Sequence, residues 1–245
     1  SGPSILGTSG AYIWDTTVTG HLGWTQLPSM AEFRWYPTIC PMGSGKYMIA
    51  GGLGTSTKVG NTTLTGTDLA IVTYEIFDYS GYVTGGANSA WLKTSTQFPH
   101  LSGDSTKSGR LYGGPTGALF GSGEWLDPAL WIYPRLHPLS GGKIFLSGPA
   151  SKSWRCVDPL STTGFWEPMS TLPFYPTRRD DYGSIFLPDT TGKYVAIIGG
   201  YYNYSYSIGD AYYCNAAATG SGAPPTGWDW TPLTSMPIAR RNQNT

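Results

Sequence analysis

Short apolar runs alternate with turn signals along the whole chain, and no helical period is sustained. Three runs open on a Gly-Lys pair and close on glycine: Gly45-Lys46 to Gly51-Gly52, Gly142-Lys143 to Gly148, and Gly192-Lys193 to Gly199-Gly200. The residues between are almost continuously apolar, as in Ile144-Phe145-Leu146 and Val195-Ala196-Ile197-Ile198. Such runs predict strands buried on both faces, each entered through a tight turn. Segments ending in aspartate, Tyr12–Asp15, Tyr74–Asp78 and Arg155–Asp158, predict amphipathic strands. A fourth kind of strand carries tryptophan with a proline shortly after: Trp24, Trp91, Trp166 and Trp230. An aromatic-proline step precedes the Gly-Lys turns, in Tyr36-Pro37, Tyr133-Pro134 and Tyr175-Pro176.

The order of these signals repeats, and the last two glycine endings, Gly148 and Gly200, lie 52 residues apart. Self-similarity at this period, with strands and no helices, predicts an all-β chain: a β-propeller of four-stranded antiparallel blades. The aromatic-proline strand is innermost, the apolar strand second, the aspartate strand third and the tryptophan strand outermost, with its indole packed between blades. Residues 12–27 form an outer half-blade, and 34–98, 131–172 and 175–236 form blades. Residues 238–245 begin another, and 100–130 form a long surface excursion. These add up to roughly three and a half blades, against the four to eight of closed propellers. The remainder of the propeller, or neighbouring subunits, is therefore the expected partner.

Composition narrows the setting. The net charge is zero, charged residues make up 12% and aromatics 14%. Nucleic acid and anionic membranes need a basic surface, so neither is an expected partner. No run reaches the ~18 apolar residues of a membrane span, and no basic-then-apolar leader opens the sequence. The sequons at Asn61 and Asn203 mark glycosylation candidates and favour a secreted, extracellular protein. Three cysteines, Cys40, Cys156 and Cys214, leave at least one unpaired within the chain. A disulfide between Cys156 and Cys214 is one pairing that the repeat allows, while Cys40 reads as a small buried hydrophobe.

Phe33-Arg34-Trp35-Tyr36-Pro37-Thr38 followed by Gly45-Lys46 and Gly51-Gly52 resembles the signature of the glyoxal oxidase/galactose oxidase family, whose propeller is built from kelch-like blades. Ile132–Leu139 with Gly142-Lys143, Gly183–Pro188 with Gly199-Gly200, and Met236–Arg240 resemble successive blades of that family. The resemblance runs from about residue 12 to the C-terminus and is weak across 53–130. It implies a mononuclear copper on the propeller axis, held by a tyrosine crosslinked to cysteine, a second tyrosine and two histidines. Tyr36 matches the crosslinked tyrosine and is the one position of that set within the chain. None of Cys40, His21, His100 or His137 takes the place of the others by motif. The expectation is that this chain alone holds no complete metal site and no cofactor, and that copper enters only if further blades supply ligands.

The remaining candidates have simpler readings beside the functional ones. Arg34, Arg135, Arg178, Arg179, Arg240 and Arg241 recur near the start of inner strands, where blade symmetry would bring guanidiniums toward one end of the axis to bind an anion. Their simpler role is pairing with neighbours such as Asp180 and Asp181. Those two aspartates are adjacent on a strand, so they point to opposite faces and do not converge on a ligand. His137 reads as a core histidine. Gly43-Ser44-Gly45-Lys46 lacks the full phosphate-loop spacing and reads as a hairpin turn. Tyr201–Tyr206 is either a carbohydrate-stacking loop or a decorated surface. Three functions follow in order: a noncatalytic structural or interaction module, a segment of a copper radical oxidase, and a glycan-binding propeller.

Overall fold

Each Gly-Lys turn sits at the tip of an antiparallel hairpin, and each hairpin supplies the first two strands, at one edge, of a four-stranded sheet. The computed structural model describes residues 7–14, 24–59, 62–71, 73–97, 133–148, 152–161, 165–171, 173, 179–180, 182–188, 192–202, 206–217 and 229–239. The chain is all-β with a propeller fold. It opens on a two-stranded half-sheet, β1 (Ala11–Ile13) against β2 (Thr25–Leu27). Blade I contains β3 (Thr38–Gly43) and β4 (Lys46–Ala50), then the hairpin β5 (Leu53–Val59) and β6 (Thr62–Ala70). It continues with β7 (Thr73–Asp78), the short helix α1 (Tyr79–Gly85) and β8 (Trp91–Gln97). Its strand order is β3-β4-β7-β8, with β5–β6 as a separate two-stranded projection. Blade II is β9 (Leu136–Pro138), β10 (Ile144–Leu146), β11 (Lys152–Val157) and β12 (Phe165–Thr171), paired in sequence order. Blade III begins after β13 (Arg179–Asp180) with β14 (Gly183–Phe186) and β15 (Tyr194–Ile198). It then sends out β16 (Tyr201–Tyr202), which pairs with β13, and β17 (Tyr206–Ser207), which pairs with β16, and returns as β18 (Ala211–Asn215) and β19 (Thr231–Leu233). Residues 100–130 lie outside the described part.

Among the described residues, the core consists of three interfaces between successive sheets. Leu27, Ala11 and Ile13 of the half-sheet meet Ile49 and Phe77 of blade I. Met48, Ala50 and Ile76 of blade I meet Ile144, Leu146 and Trp154 of blade II. Phe145 and Met169 of blade II meet Val195, Ile197 and Trp230 of blade III. Strand alternation produces this arrangement directly: Ile144 and Leu146 point to one side of β10 and Phe145 to the other, and all three are fully buried. The uninterrupted apolar run in the sequence is therefore two half-runs, one for each neighbour. Tyr74 adds a polar tie, its hydroxyl donating to the Pro159 carbonyl of blade II at 3.1 Å.

The third strands of blades I and II, β7 and β11, are more buried than their amphipathic pattern predicts. All six residues of β7 are buried, as are Ser153 through Cys156 on β11. Sheets packed on both sides leave the third strand no solvent face. The polar residues are there because they have partners, and the aspartate that ends β7 serves the next element. Asp78 accepts a bond from the Gly81 N–H at 3.1 Å, capping α1, and pairs with Lys46 at 3.6 Å. The Gly43-Ser44-Gly45 segment is a turn with φ of 86°, 51° and 71°, which leads into β4.

Candidate functional site

The chain enters blades I and II through matching aromatic-proline steps at one rim. Tyr36 and Tyr133, each preceding a proline, both take left-handed backbone conformations, with φ of 58° and 52°. Such values cost a non-glycine residue energy and persist only where the surroundings hold them. Here the Tyr133 N–H donates to the Tyr36 carbonyl at 3.0 Å, tying the two blades by backbone. The rings stack with centroids 4.7 Å apart and planes inclined by 22°, and Trp35 stacks on Tyr36 at 3.9 Å. Arg135 lies over the rings of Tyr133 and Tyr182, at 5.9 and 5.5 Å from their centroids. Tyr36 and Tyr133 remain 40% and 38% exposed, so this stack of aromatic rings is open to solvent. Gly52 permits its placement: at φ 93°, an added Cβ would lie 2.8 Å from the Trp35 carbonyl oxygen.

Arg34 does not belong to an axial anion site, contrary to the sequence-based expectation. Its guanidinium is buried and all five N–H groups are bonded. Nε and Nη2 donate to Glu75, Nη1 to the carbonyls of Gly51 and Thr73, and Nη2 also to the Thr73 hydroxyl. Glu75 in turn accepts from the backbone N–H groups of Ala31 and Glu32. Burial pushes the Arg34 guanidinium below its ordinary range, and the adjacent Glu75 carboxylate pulls it back up. The pair fixes the segment leading into blade I onto its third strand. Glu75 was missed as a partner because it reads as an outward residue of an amphipathic strand; the available signal was a lone acid between apolar neighbours. Arg135 donates from Nε to the Tyr182 carbonyl at 3.0 Å and from Nη1 to the Tyr133 carbonyl, so it joins blade II to the start of blade III. Arg179 contributes its backbone to β13, opposite Tyr202. Arg178, Arg240 and Arg241 lie outside the described residues, as do Asn61 and Asn203.

The pairing of Cys156 with Cys214 does not form. None of the three cysteines is in a disulfide, and all are buried. Cys156 packs in the interface of blades I and II, and Cys214 in that of blades II and III. The sheet of blade II stands between them. Burial raises the thiol of Cys40 to about 12 and that of Cys214 further still, so both remain protonated and poorly nucleophilic at neutral pH.

His137 is a core residue with a partner. Its Nε2 lies 2.7 Å from Ser184 Oγ, which lies 2.8 Å from Ser147 Oγ, and the Tyr182 hydroxyl donates to the Ser147 carbonyl at 3.0 Å. This polar chain joins blade II to blade III. Burial, with a smaller contribution from Arg135, lowers the histidine from 6.5 to about 4. The folded protein refuses a proton that the unfolded chain accepts between those values. Stability is thus full above pH 6.5 and falls as the pH drops toward 4, by roughly 3 kcal/mol across the window. Urea titrations at stepped pH check this: replacing His137 by glutamine should flatten the dependence relative to the parent, and an unchanged slope would contradict the assignment.

A copper site of the kind the resemblance implies is not supplied by these residues. Among the described residues, no group of three or more His, Cys, Asp or Glu side chains could hold a metal ion. Tyr36 is an exposed phenol stacked with Trp35 and Tyr133, His137 is committed to Ser184, and the cysteines are buried in the interfaces.

The fold and its rim define a propeller chain with stacked aromatic rings where two blades begin. No family model matches the sequence, and no curated protein matches it. Among solved structures, the chain is similar to a fungal alcohol oxidase of the AA5 family solved in complex with copper, with a TM-score of 0.57 and 16% identity over 97% of this chain. It is also similar to YjhT, with a TM-score of 0.53 and 13% identity over 95% of this chain. At these identities the likeness is one of fold. The chain spans 40% of the length of the oxidase and 61% of that of YjhT. No helix among the described residues is long and apolar enough to cross a membrane.

Proposed function

We propose that this chain is a noncatalytic, extracellular propeller segment acting as a structural or interaction module in a larger protein or assembly. The observation that carries the reading is at the flanks. The outermost-strand tryptophans of blades I and III pack against the preceding sheet: Trp91 donates to the Pro28 carbonyl at 3.1 Å, and Trp230 is buried against Phe145 of blade II. Trp24 holds the corresponding place in the half-sheet and is 68% exposed, in edge contact with Trp14, with Tyr12 also exposed. At the other flank, Ile185 and Leu233 of blade III are 42% and 38% exposed. Both flanks have the character of a blade interface, so the partner is a further blade of the same kind, on the same polypeptide or on a neighbour. The neutral charge and the two sequons support the extracellular setting.

A second reading, a copper radical oxidase segment, is favoured by one feature: Tyr36, the position matching the family's crosslinked tyrosine, is exposed at the rim with Trp35 stacked on it. In that reading every other ligand comes from outside this chain. Copper analysis of the full-length protein separates the two. The structural reading expects no stoichiometric copper and no peroxide formed from aldehydes or primary alcohols; tight stoichiometric uptake with peroxide release would overturn it.

A further inference from the structure

We propose that Tyr36 and Tyr133 form an oxidative coupling site, at which a dityrosine bond staples blade I to blade II. Coupling needs two phenols reachable by an oxidant and held in contact while both are radicals. Both conditions are met. The rings are 40% and 38% exposed, and they stack nearly parallel at 4.7 Å. Their contact is imposed by backbone as well as by rings: both residues occupy the left-handed region and Tyr133 N–H bonds to Tyr36 O. Each precedes a proline, which further narrows its backbone freedom. No diffusion or rearrangement of the blades is required to bring the two rings together.

The oxidant is a peroxidase-type one-electron oxidant consuming hydrogen peroxide. Each tyrosine loses one electron and one proton to give a phenoxyl radical. The radicals join through ring carbons ortho to the oxygens, and the two displaced ring hydrogens return as protons to restore both phenols. Two tyrosines and one hydrogen peroxide give one dityrosine and two waters. The product closes a loop between residues far apart in sequence and acts, like a disulfide, by restricting the unfolded chain.

The test is limited oxidation of the folded protein with peroxidase and peroxide, followed by peptide mapping. The chain holds 17 tyrosines. Tyr194 and Tyr213 supply an internal comparison, since their rings also meet but edge-on, at 5.9 Å and 66°. The expected product is monomeric on a denaturing gel, lighter by two hydrogens, with blue dityrosine fluorescence and a peptide joining Tyr36 to Tyr133. Tyr36→Phe and Tyr133→Phe keep the ring stack and should each abolish that peptide while circular dichroism stays unchanged. The proposal is overturned if the main crosslink joins other tyrosines or separate molecules, if oxidation ends on Trp35 with no Tyr36–Tyr133 bond, or if Tyr133→Phe leaves the fluorescence yield unchanged. The result does not depend on whether the protein binds copper.

Discussion

Replacing Glu75 by glutamine lowers the unfolding free energy by about 3–5 kcal/mol, measured as the shift in a urea unfolding midpoint. The substitution keeps the shape and removes the charge. Arg34 then stays buried with its guanidinium uncompensated, on a side chain that is wholly inaccessible. A domain's total stability is about 5–15 kcal/mol, so this is a large fraction of it. Removing both charges should be far milder: Arg34→Met with Glu75→Leu deletes the desolvation cost together with the attraction, and such exchanges are often near neutral. If E75Q costs less than about 1 kcal/mol, the carboxylate is not what keeps Arg34 in place.

Phe145→Ala has an expected cost of similar size, about 3–5 kcal/mol by the same measurement. Phe145 is fully buried and packs, with Met169 of its own blade, against Trp230 and Val195 of blade III. Truncation leaves a cavity between two sheets whose backbones are fixed by their own ladders, so little collapse is available. Ile185→Ala, on the exposed flank of blade III, should stay within about 1 kcal/mol, because that side chain has surrendered much less surface. Equal costs for the two variants would mean that the Ile185 flank is covered in solution.

The strands were legible in the sequence because a turn signal and an apolar run are local properties. The run Ile144-Phe145-Leu146 announces a doubly buried strand without reference to anything else. What remained hidden was pairing across distance. Arg34 and Glu75 are 41 residues apart, and neither sequence neighbourhood says that the guanidinium turns inward. An arginine repeated near inner strands suggests convergence on the axis, but an unpaired acid in a buried third strand captures the first of them. Cys156 and Cys214 show the same limit. Equivalent places in successive repeats put both thiols on the face toward the preceding blade, which interposes a whole sheet. The exposed position of Tyr36 beside Tyr133 likewise depends on backbone geometry that no residue pattern displays.

The alternation along β10 has a consequence for how the chain comes apart. Ile144 and Leu146 are held by one neighbour and Phe145 by the other, so blade II gives up two interfaces when it opens. The half-sheet of β1 and β2 gives up one. Blade I, between the half-sheet and blade II, is likewise held on both sides; in a row of units coupled only to their neighbours, the end units loosen first and the doubly gripped units are released last. Blades I and II together are thus the keystones of the row, and a partner seated on either flank would slow the loss of the whole by removing an end from which unravelling can start.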